Sequence, residues 1–375
     1  MVITPFDDFP IHQTGDPIAQ PVSADPNHYD RYFFNGFATD GSFMIGGAMG
    51  HYPTRGVIDA AFSFVIDDVE HSVFASGMMP VGRETEIGPF HLTVEEPLRT
   101  IRFKVDKNEH GLSCDLVFRA RTAAIEEPKQ TIVRNNVKIM DYTRLTQWGT
   151  WEGTVTVGDR VVEVKADSTY GVRDRSWGVR GVGVQAPTNF PPGLTQVFWL
   201  WAPLHFDDMC THLAMFERED GTRWMESALV VPVLDSPSAP TWGESVPEPE
   251  EVGNIVYDIK WQKGRREMDT AALEFTRHNG EVNRVEFERL YTFRMRGIGY
   301  MHPHWSHGSI HGHLEVGGES IPLSEFNPQD PSCIHIQTLC KVKMGNREGI
   351  GVLEQLAFGP HQPTGLTGII DGYAG

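Results

Sequence analysis

The sequence predicts an all-β protein of two antiparallel domains, each a sandwich or a barrel, and three observations carry that expectation. Apolar and polar residues alternate over short runs, Asp-Gly and Asn-Gly turns separate the runs, and amphipathic helical periodicity is scarce. At 375 residues the chain suits two domains or one large β architecture.

Taken in order, residues 1–40 carry Pro5, Pro10, Pro17, Pro21 and Pro26 with few periodic apolar positions. This predicts irregular chain on the surface, anchored by the aromatic cluster His28, Tyr29, Tyr32, Phe33, Phe34 and Phe37. From Gly41 the pattern turns to β. The glycine-rich run 42–51 lacks the spacing of a phosphate loop, so it reads as a strand lined by small residues beside a cavity. Ile101, Phe103 and Val105 alternate with charged residues, a turn follows at 108–111, and Leu112, Cys114, Leu116 and Phe118 continue the alternation. That is a hairpin with one wet face. The same grammar recurs around Gly158-Asp159, Asp220-Gly221 and Asn279-Gly280, with further turns expected at Gly317-Gly318 and Gly345-Asn346. The paired prolines of 186–193 mark the boundary, giving domains 1–186 and 187–375. The acidic, proline-rich stretch 235–251 reads as a long exposed loop inside the second domain.

Composition narrows the function classes. Hydrophobic residues at 40% and charged residues at 22% describe a globular protein, and no window approaches eighteen uninterrupted apolar residues. A net charge of −18 opposes nucleic acid and anionic lipid, so neither partner nor stable membrane insertion is expected. The first residues show no basic-then-apolar leader, which predicts a cytoplasmic location. Cys114, Cys210, Cys333 and Cys340 are scattered without metal spacing and read as reduced, mostly buried thiols. Self-association is left open by the sequence.

Three regions carry candidate chemistry. The densest is Tyr170-Gly-Val-Arg-Asp-Arg-Ser-Trp-Gly-Val-Arg180, where Asp174 lies between Arg173 and Arg175 with Trp177 close behind. It suits an acid–base site or, equally, a charged staple between domains. The second places five histidines in twelve residues: His302, His304, His307, His311 and His313. Alternation would put pairs of them on one face, yet HExxH spacing is missing and no carboxylate enters the run before Glu315. The expectation is therefore no metal, with the histidines as cavity wall or proton-transfer groups. The third is the strand around Glu354 and Gln355, of which one should face inward and need an Arg or His partner. Nucleophile-elbow and dinucleotide signatures are absent, so no cofactor is expected.

Two antiparallel β domains, the central Asp-Arg-Ser-Trp-Gly-Val-Arg and the late Tyr-Met-His-Pro-His-Trp-Ser-His-Gly together resemble the hydroxyneurosporene synthase (carotenoid 1,2-hydratase) and AttH-like superfamily. The resemblance implies two lipocalin-like barrels in tandem, an architecture that fungal lipocalin-like Diels-Alderases and tocopherol cyclases look related to. It also implies cofactor-free protonation, cyclisation or water addition on a hydrophobic isoprenoid, steroid, polyketide or aromatic substrate. The resemblance puts Asp174 forward as the proton donor or its orienter; the leading hypothesis adds His304, which divides acid and base duties with it, and Arg173 or Arg175, which positions a substrate oxygen or Asp174. Trp177 offers a π face to a carbocation, and Tyr170, Tyr300, His302, Trp305, His307 and Glu354 complete the binding surface. The rivals are a non-catalytic carrier of an apolar ligand and a metal-dependent hydrolase built on the 302–313 histidines.

Overall fold

The computed structural model describes residues 8–10, 21–134, 136–181 and 196–372. Two compact units divide the chain. The first takes Met1–Pro187, Leu234–Val246 and Gly297–Pro322, and the second takes Thr188–Val233, Pro247–Arg296 and Leu323–Gly375. The 186–193 stretch expected to hold the boundary lies outside the described residues. Most of the acidic loop and the whole histidine run, both expected in the second domain, belong to the first unit. The Leu234 N–H bonds the Arg121 carbonyl (2.9 Å) and Arg99 Nη2 bonds the Ala239 carbonyl (2.6 Å). Ser63 and Ser76 hydroxyls bond the carbonyls of Gly297 (2.6 Å) and Ser309 (2.8 Å). Composition marks such segments as loops, but their docking depends on backbone groups that every residue carries.

Unit 1 contains β1 (His28–Ala38), β2 (Phe43–Tyr52), β3 (Val57–Ile66), β4 (Val69–Met78), β5 (Glu86–Ile87), β6 (Phe90–Glu96), β7 (Thr100–Val105), β8 (Leu112–Ala120), β9 (Ile125–Arg134), β10 (Val137–Val157), β11 (Arg160–Val164) and β12 (Thr169–Arg180), followed much later by β21 (Leu314–Pro322). Among the described residues these form one antiparallel sheet in the order β21-β4-β3-β2-β1-β12-β10-β8-β7-β6-β5, with β9 and β11 also on β10. The sheet curls into a nearly closed barrel: the β5–β6 turn at Gly88 comes back beside Ala75 of β4 and Val316 of β21.

The expected hairpin at 101–118 is β7–β8, with Ile101 opposite Phe118 and Phe103 opposite Leu116. Its apolar face joins Phe34, Phe62 and Trp151 in the barrel interior. There the Trp151 indole stands 5.6 Å from Phe34 and 5.3 Å from Phe118, ring centre to ring centre, and donates Nε1–H to the Asn35 carbonyl (2.8 Å). Gly36, Gly171 and Gly149 face one another across β1, β12 and β10. A Cβ on Gly171 would stand 2.3 Å from the Asn35 oxygen and 2.4 Å from Trp151 Nε1, so glycine is what lets the indole lie on the sheet.

Unit 2 contains β13 (Val197–Trp201), β14 (Leu204–Phe206), β15 (Met209–Glu217), β16 (Arg223–Pro232), β17 (Glu250–Glu251), β18 (Gly253–Trp261), β19 (Met268–Thr276), β20 (Val282–Arg294), β22 (His335–Met344) and β23 (Arg347–Phe358). Among the described residues their order is β17-β16-β15-β13-β23-β22-β20-β19-β18, with β14 paired to β15 and β23, again antiparallel, around a core that includes Phe198, Leu200, Met215, Trp261, Met268 and Leu353. Both units are lipocalin-like β structures. No helix among the described residues is long and apolar enough to cross a membrane. All four cysteines are free and buried.

Two local expectations are corrected. Residues 28–38 are not surface anchors but β1, fully buried and hydrogen-bonded on both edges, because their aromatic residues fill both faces of the sheet. Gly317-Gly318 is not a turn and lies within β21. A Cβ on Gly317 would meet the Trp305 indole at 2.3 Å and one on Gly318 the His110 side chain at 2.7 Å, so both glycines answer to close packing.

Candidate active site

The central motif is uninterrupted strand, and its period of two separates the charges that lie together in sequence. Arg173 and Arg175 point to the barrel interior, opposite Phe34 and Tyr32 of β1. Both are sealed there. Arg173 bonds the Asp8 carboxylate and the Gln147 side-chain oxygen (2.9 Å), while the other Asp8 oxygen takes the Leu98 N–H. Arg175 pairs with Asp30 (2.5 Å), donates to the Phe9 carbonyl (2.9 Å) and lies 3.8 Å over the Tyr32 ring. Strand parity puts Trp177 on this side as well, opposite Asp30 and Thr143. Arg173, Arg175 and Trp177 therefore do not share a face with Asp174, as their adjacency in sequence had suggested.

Asp174 projects from the outer face of the barrel, opposite Phe33 of β1 and Thr146 of β10. Register brings Tyr29 and Arg31 from β1, Ser176 and Arg180 from β12, and Tyr142 and Arg144 from β10 to the same face. Burial pushes the Asp174 carboxyl up to about 6; Arg144 opposes that shift, Glu127 adds to it, and Arg31 and Arg180 oppose it. The side chain nevertheless keeps part of its surface accessible. No hydrogen bond reaches its carboxyl among the described residues. It is a crowded acid that accepts no hydrogen bond among the described residues and keeps part of its surface accessible.

The surrounding groups are firmly placed. Arg144 pairs with buried Glu127, which also accepts the Thr146 hydroxyl (2.6 Å). Arg180 lies over three tyrosine rings, 4.9 Å from the centre of Tyr29, 5.7 Å from Tyr142 and 5.8 Å from Tyr300. Arg31 is 1% exposed and 4.6 Å over the Tyr300 ring. Its Nη1 donates to His307 Nδ1 (3.1 Å), and His307 Nε2–H donates to the Ile298 carbonyl (2.8 Å), which leaves Nδ1 as the acceptor. Nε and Nη2 of Arg31 have no partner among the described residues. A buried guanidinium with two unsatisfied donors beside an undonated carboxyl is an oxygen-binding arrangement.

The histidine run crosses the outer face of β1–β4 and divides in role. Tyr300 and His307 reach the Asp174 neighbourhood through Arg31 and Arg180. His302 is buried under Phe74, accepts the backbone N–H groups of His304 (3.0 Å) and Trp305 (2.9 Å), and approaches Glu319 (3.3 Å). Trp305 stacks on Phe74 with centroids 5.6 Å apart. His304 is half exposed and bonds Glu315 (2.7 Å), so its imidazole is committed away from Asp174. A small pocket among Asp59, Phe74, Trp305, His307 and His311 lies beneath the run. Burial raises Asp59 there to about 6 despite bonds from the Gly308 N–H (2.6 Å) and Tyr52 hydroxyl (3.1 Å).

Tyr170 lies on the outer face under Arg121, 4.7 Å from its guanidinium. Glu354 belongs to unit 2 and takes donors from Trp199 (2.8 Å), His335 (2.9 Å) and Gln337 (2.7 Å) rather than from either earlier motif. Burial raises its pKa, but His335, Gln337 and Trp199 outweigh that and hold it below the ordinary value. Gln355 is buried as well, bonding the Met268 N–H and the Thr338 hydroxyl (2.9 Å each), so both neighbours are inside. Among the described residues His304, His311 and Glu315 form a group able to hold a metal ion.

A family model described as a family of unknown function (DUF8625) matches residues 3–367. The chain belongs to the DUF8625 family. No curated protein matches it. The chain is similar to the crystal structure of kievitone hydratase from Nectria haematococca, with a TM-score of 0.53 and 10% identity over 95% of this chain and 93% of that one. It is also similar to the crystal structure of CghA, with a TM-score of 0.50 and 11% identity over 88% of each chain. At these identities the likeness is one of fold.

Sequence reasoning missed Arg31, Arg144, Tyr29 and Tyr142 as site residues. Tyr29 was visible only as part of an aromatic cluster, and Arg31 was not singled out at all. The signal that finds them is register: once β12 is flanked by β1 and β10, strand parity lists the neighbours of Asp174.

Proposed function

We propose that the protein is a hydratase, lyase or isomerase acting by acid–base chemistry on a largely apolar small molecule that carries a conjugated carbonyl. The observation that carries this reading is the pairing of Asp174, an undonated and partly accessible carboxyl with a raised pKa, with the two free donors of Arg31. Three guanidinium groups around one carboxyl make the local field positive. Such a field favours an enolate-like oxyanion and disfavours a free carbocation.

In the hydration direction, water adds to the β-carbon of the enone and the π electrons move onto the carbonyl oxygen, where Arg31 Nε and Nη2 receive the charge. The re-forming carbonyl drives the electron pair to the α-carbon, which takes the proton of Asp174. The proton lost by the added water restores the Asp174 carboxyl. Dehydration runs the same steps backward, and isomerisation uses the proton transfers without the water. His307 acts as a positioning residue that holds Arg31, and Tyr300 packs beneath its guanidinium. The architecture shared with a hydratase supports the reading without fixing the reaction.

The test is incubation of the protein in D2O with a panel of apolar enones and their β-hydroxy counterparts, read by mass spectrometry. Wild-type protein should place one carbon-bound deuterium in a product, and Asp174→Asn and Arg31→Met should each slow that by 100-fold or more. An unchanged rate in folded Asp174→Asn protein overturns the role of the carboxyl. Tight binding with no deuterium uptake would favour a carrier.

A further inference from the structure

A second chemistry-bearing cluster lies where the histidine run meets the edge strand β21. His304 Nε2 stands 2.7 Å from one oxygen of Glu315, and His311 Nδ1 stands 2.9 Å from the other. One ligand atom from each of the three residues lies within 4.8 Å of the rest. The His304 and His311 side chains are 53% and 10% exposed, so one ligand is anchored and the site still opens to water.

The local backbone holds these side chains in place. His302 caps the turn by accepting the N–H groups of His304 and Trp305, and Trp305 is pinned between Phe74 and the bare backbone of Gly317. Gly308 and Gly312 take the positive φ angles (+68° and +75°) that bring the loop back toward β21. A second observation concerns the tautomer. His311 Nε2 lies 3.1 Å from the His304 carbonyl, which can only accept, so this nitrogen carries its hydrogen. Nδ1 is the nitrogen turned to Glu315, 2.9 Å away, and in the neutral imidazole with its hydrogen on Nε2 it carries the lone pair that would ligate an ion.

We propose that His304, His311 and Glu315 form a binding site for one divalent ion of the zinc class, with water completing the coordination. Two imidazoles and one carboxylate suit Zn2+, Co2+ or Ni2+, whereas Mg2+ and Ca2+ prefer all-oxygen sets. The ion ties the histidine run to the start of β21. The sequence alone argued against a metal because the run itself lacks a carboxylate; Glu315 enters only when the chain folds back at Gly312.

The proposal is independent of the acid–base reading, since its test uses no substrate. Full-length protein is stripped with EDTA, exchanged into chelator-free buffer and titrated with ZnCl2 by calorimetry. The expected result is one ion per chain, with affinity falling at least tenfold in His304→Ala, His311→Ala and Glu315→Gln and staying unchanged in His91→Ala, a surface histidine beside Glu86 and Asp106. Circular dichroism verifies that each variant is folded. If a variant fails to fold, Co2+ added to wild type should give visible d–d absorption that Zn2+ displaces and Mg2+ does not. Absence of stoichiometric Zn2+ uptake, absence of the Co2+ band, or binding retained by the His304→Ala/His311→Ala double variant overturns the site.

Discussion

Replacing Asp174 with asparagine should stabilise the protein at alkaline pH while removing its chemistry. The carboxyl titrates near 6 in the folded protein against an ordinary 3.8, so between those values the folded chain keeps a proton that the unfolded chain has released. Stability therefore falls as pH rises through this window, and above it the fold carries an ionised, poorly solvated carboxylate. At 1.36 kcal/mol per tenfold change in proton affinity, the rise from 3.8 to about 6 sets a ceiling of about 3 kcal/mol. Asp174 keeps some solvent contact, so about 1–2 kcal/mol is the working expectation. For a unit of this size that corresponds to roughly 2–8 °C in melting temperature. Thermal unfolding of wild type and Asp174→Asn followed at pH 4 and pH 8 isolates the effect, because every other titrating group is common to both. The variant should melt higher at pH 8, with the gain shrinking toward zero at pH 4. A variant that melts lower than wild type at pH 8 would show that the surrounding arginines hold Asp174 ionised, and the proton-donor assignment would fall with it.

Two structural predictions concern the opposite face of the same strand. Asp8→Ala strands the buried Arg173 guanidinium and the Leu98 N–H together, which should cost about 3–5 kcal/mol, measurable as a large drop in urea midpoint. Wild-type stability after that substitution would mean that Asp8 does not hold Arg173 and the Leu98 N–H in solution. Gly171→Ala drives a methyl group against Trp151 and the Asn35 carbonyl and should cost about 1–3 kcal/mol, with a change in tryptophan fluorescence. An unaltered melting curve and spectrum would contradict the packing of that indole.

Much of the architecture was legible locally. The β7–β8 alternation and the turns at Asp220-Gly221 and Asn279-Gly280 announced antiparallel strands, because side-chain parity and positive-φ residues are properties of a few neighbouring positions. The central motif was likewise conspicuous as a concentration of charge. What its residues do was not legible, for the same alternation that marks a strand sends Asp174 to one face and Arg173 and Arg175 to the other.

The sequence by itself determined the all-β class and the hairpin grammar, and it singled out Asp174 as a candidate. Only the tertiary structure decided its company. Arg31 and His307 meet across 276 positions, and Glu354 finds its donors Trp199, His335 and Gln337 within unit 2. Such partnerships depend on register and chain return, which no local pattern encodes. Asp174 has these neighbours because β12 is flanked by β1 and β10; the burial they impose raises its carboxyl above the ordinary range, against the pull of Arg144, Arg31 and Arg180.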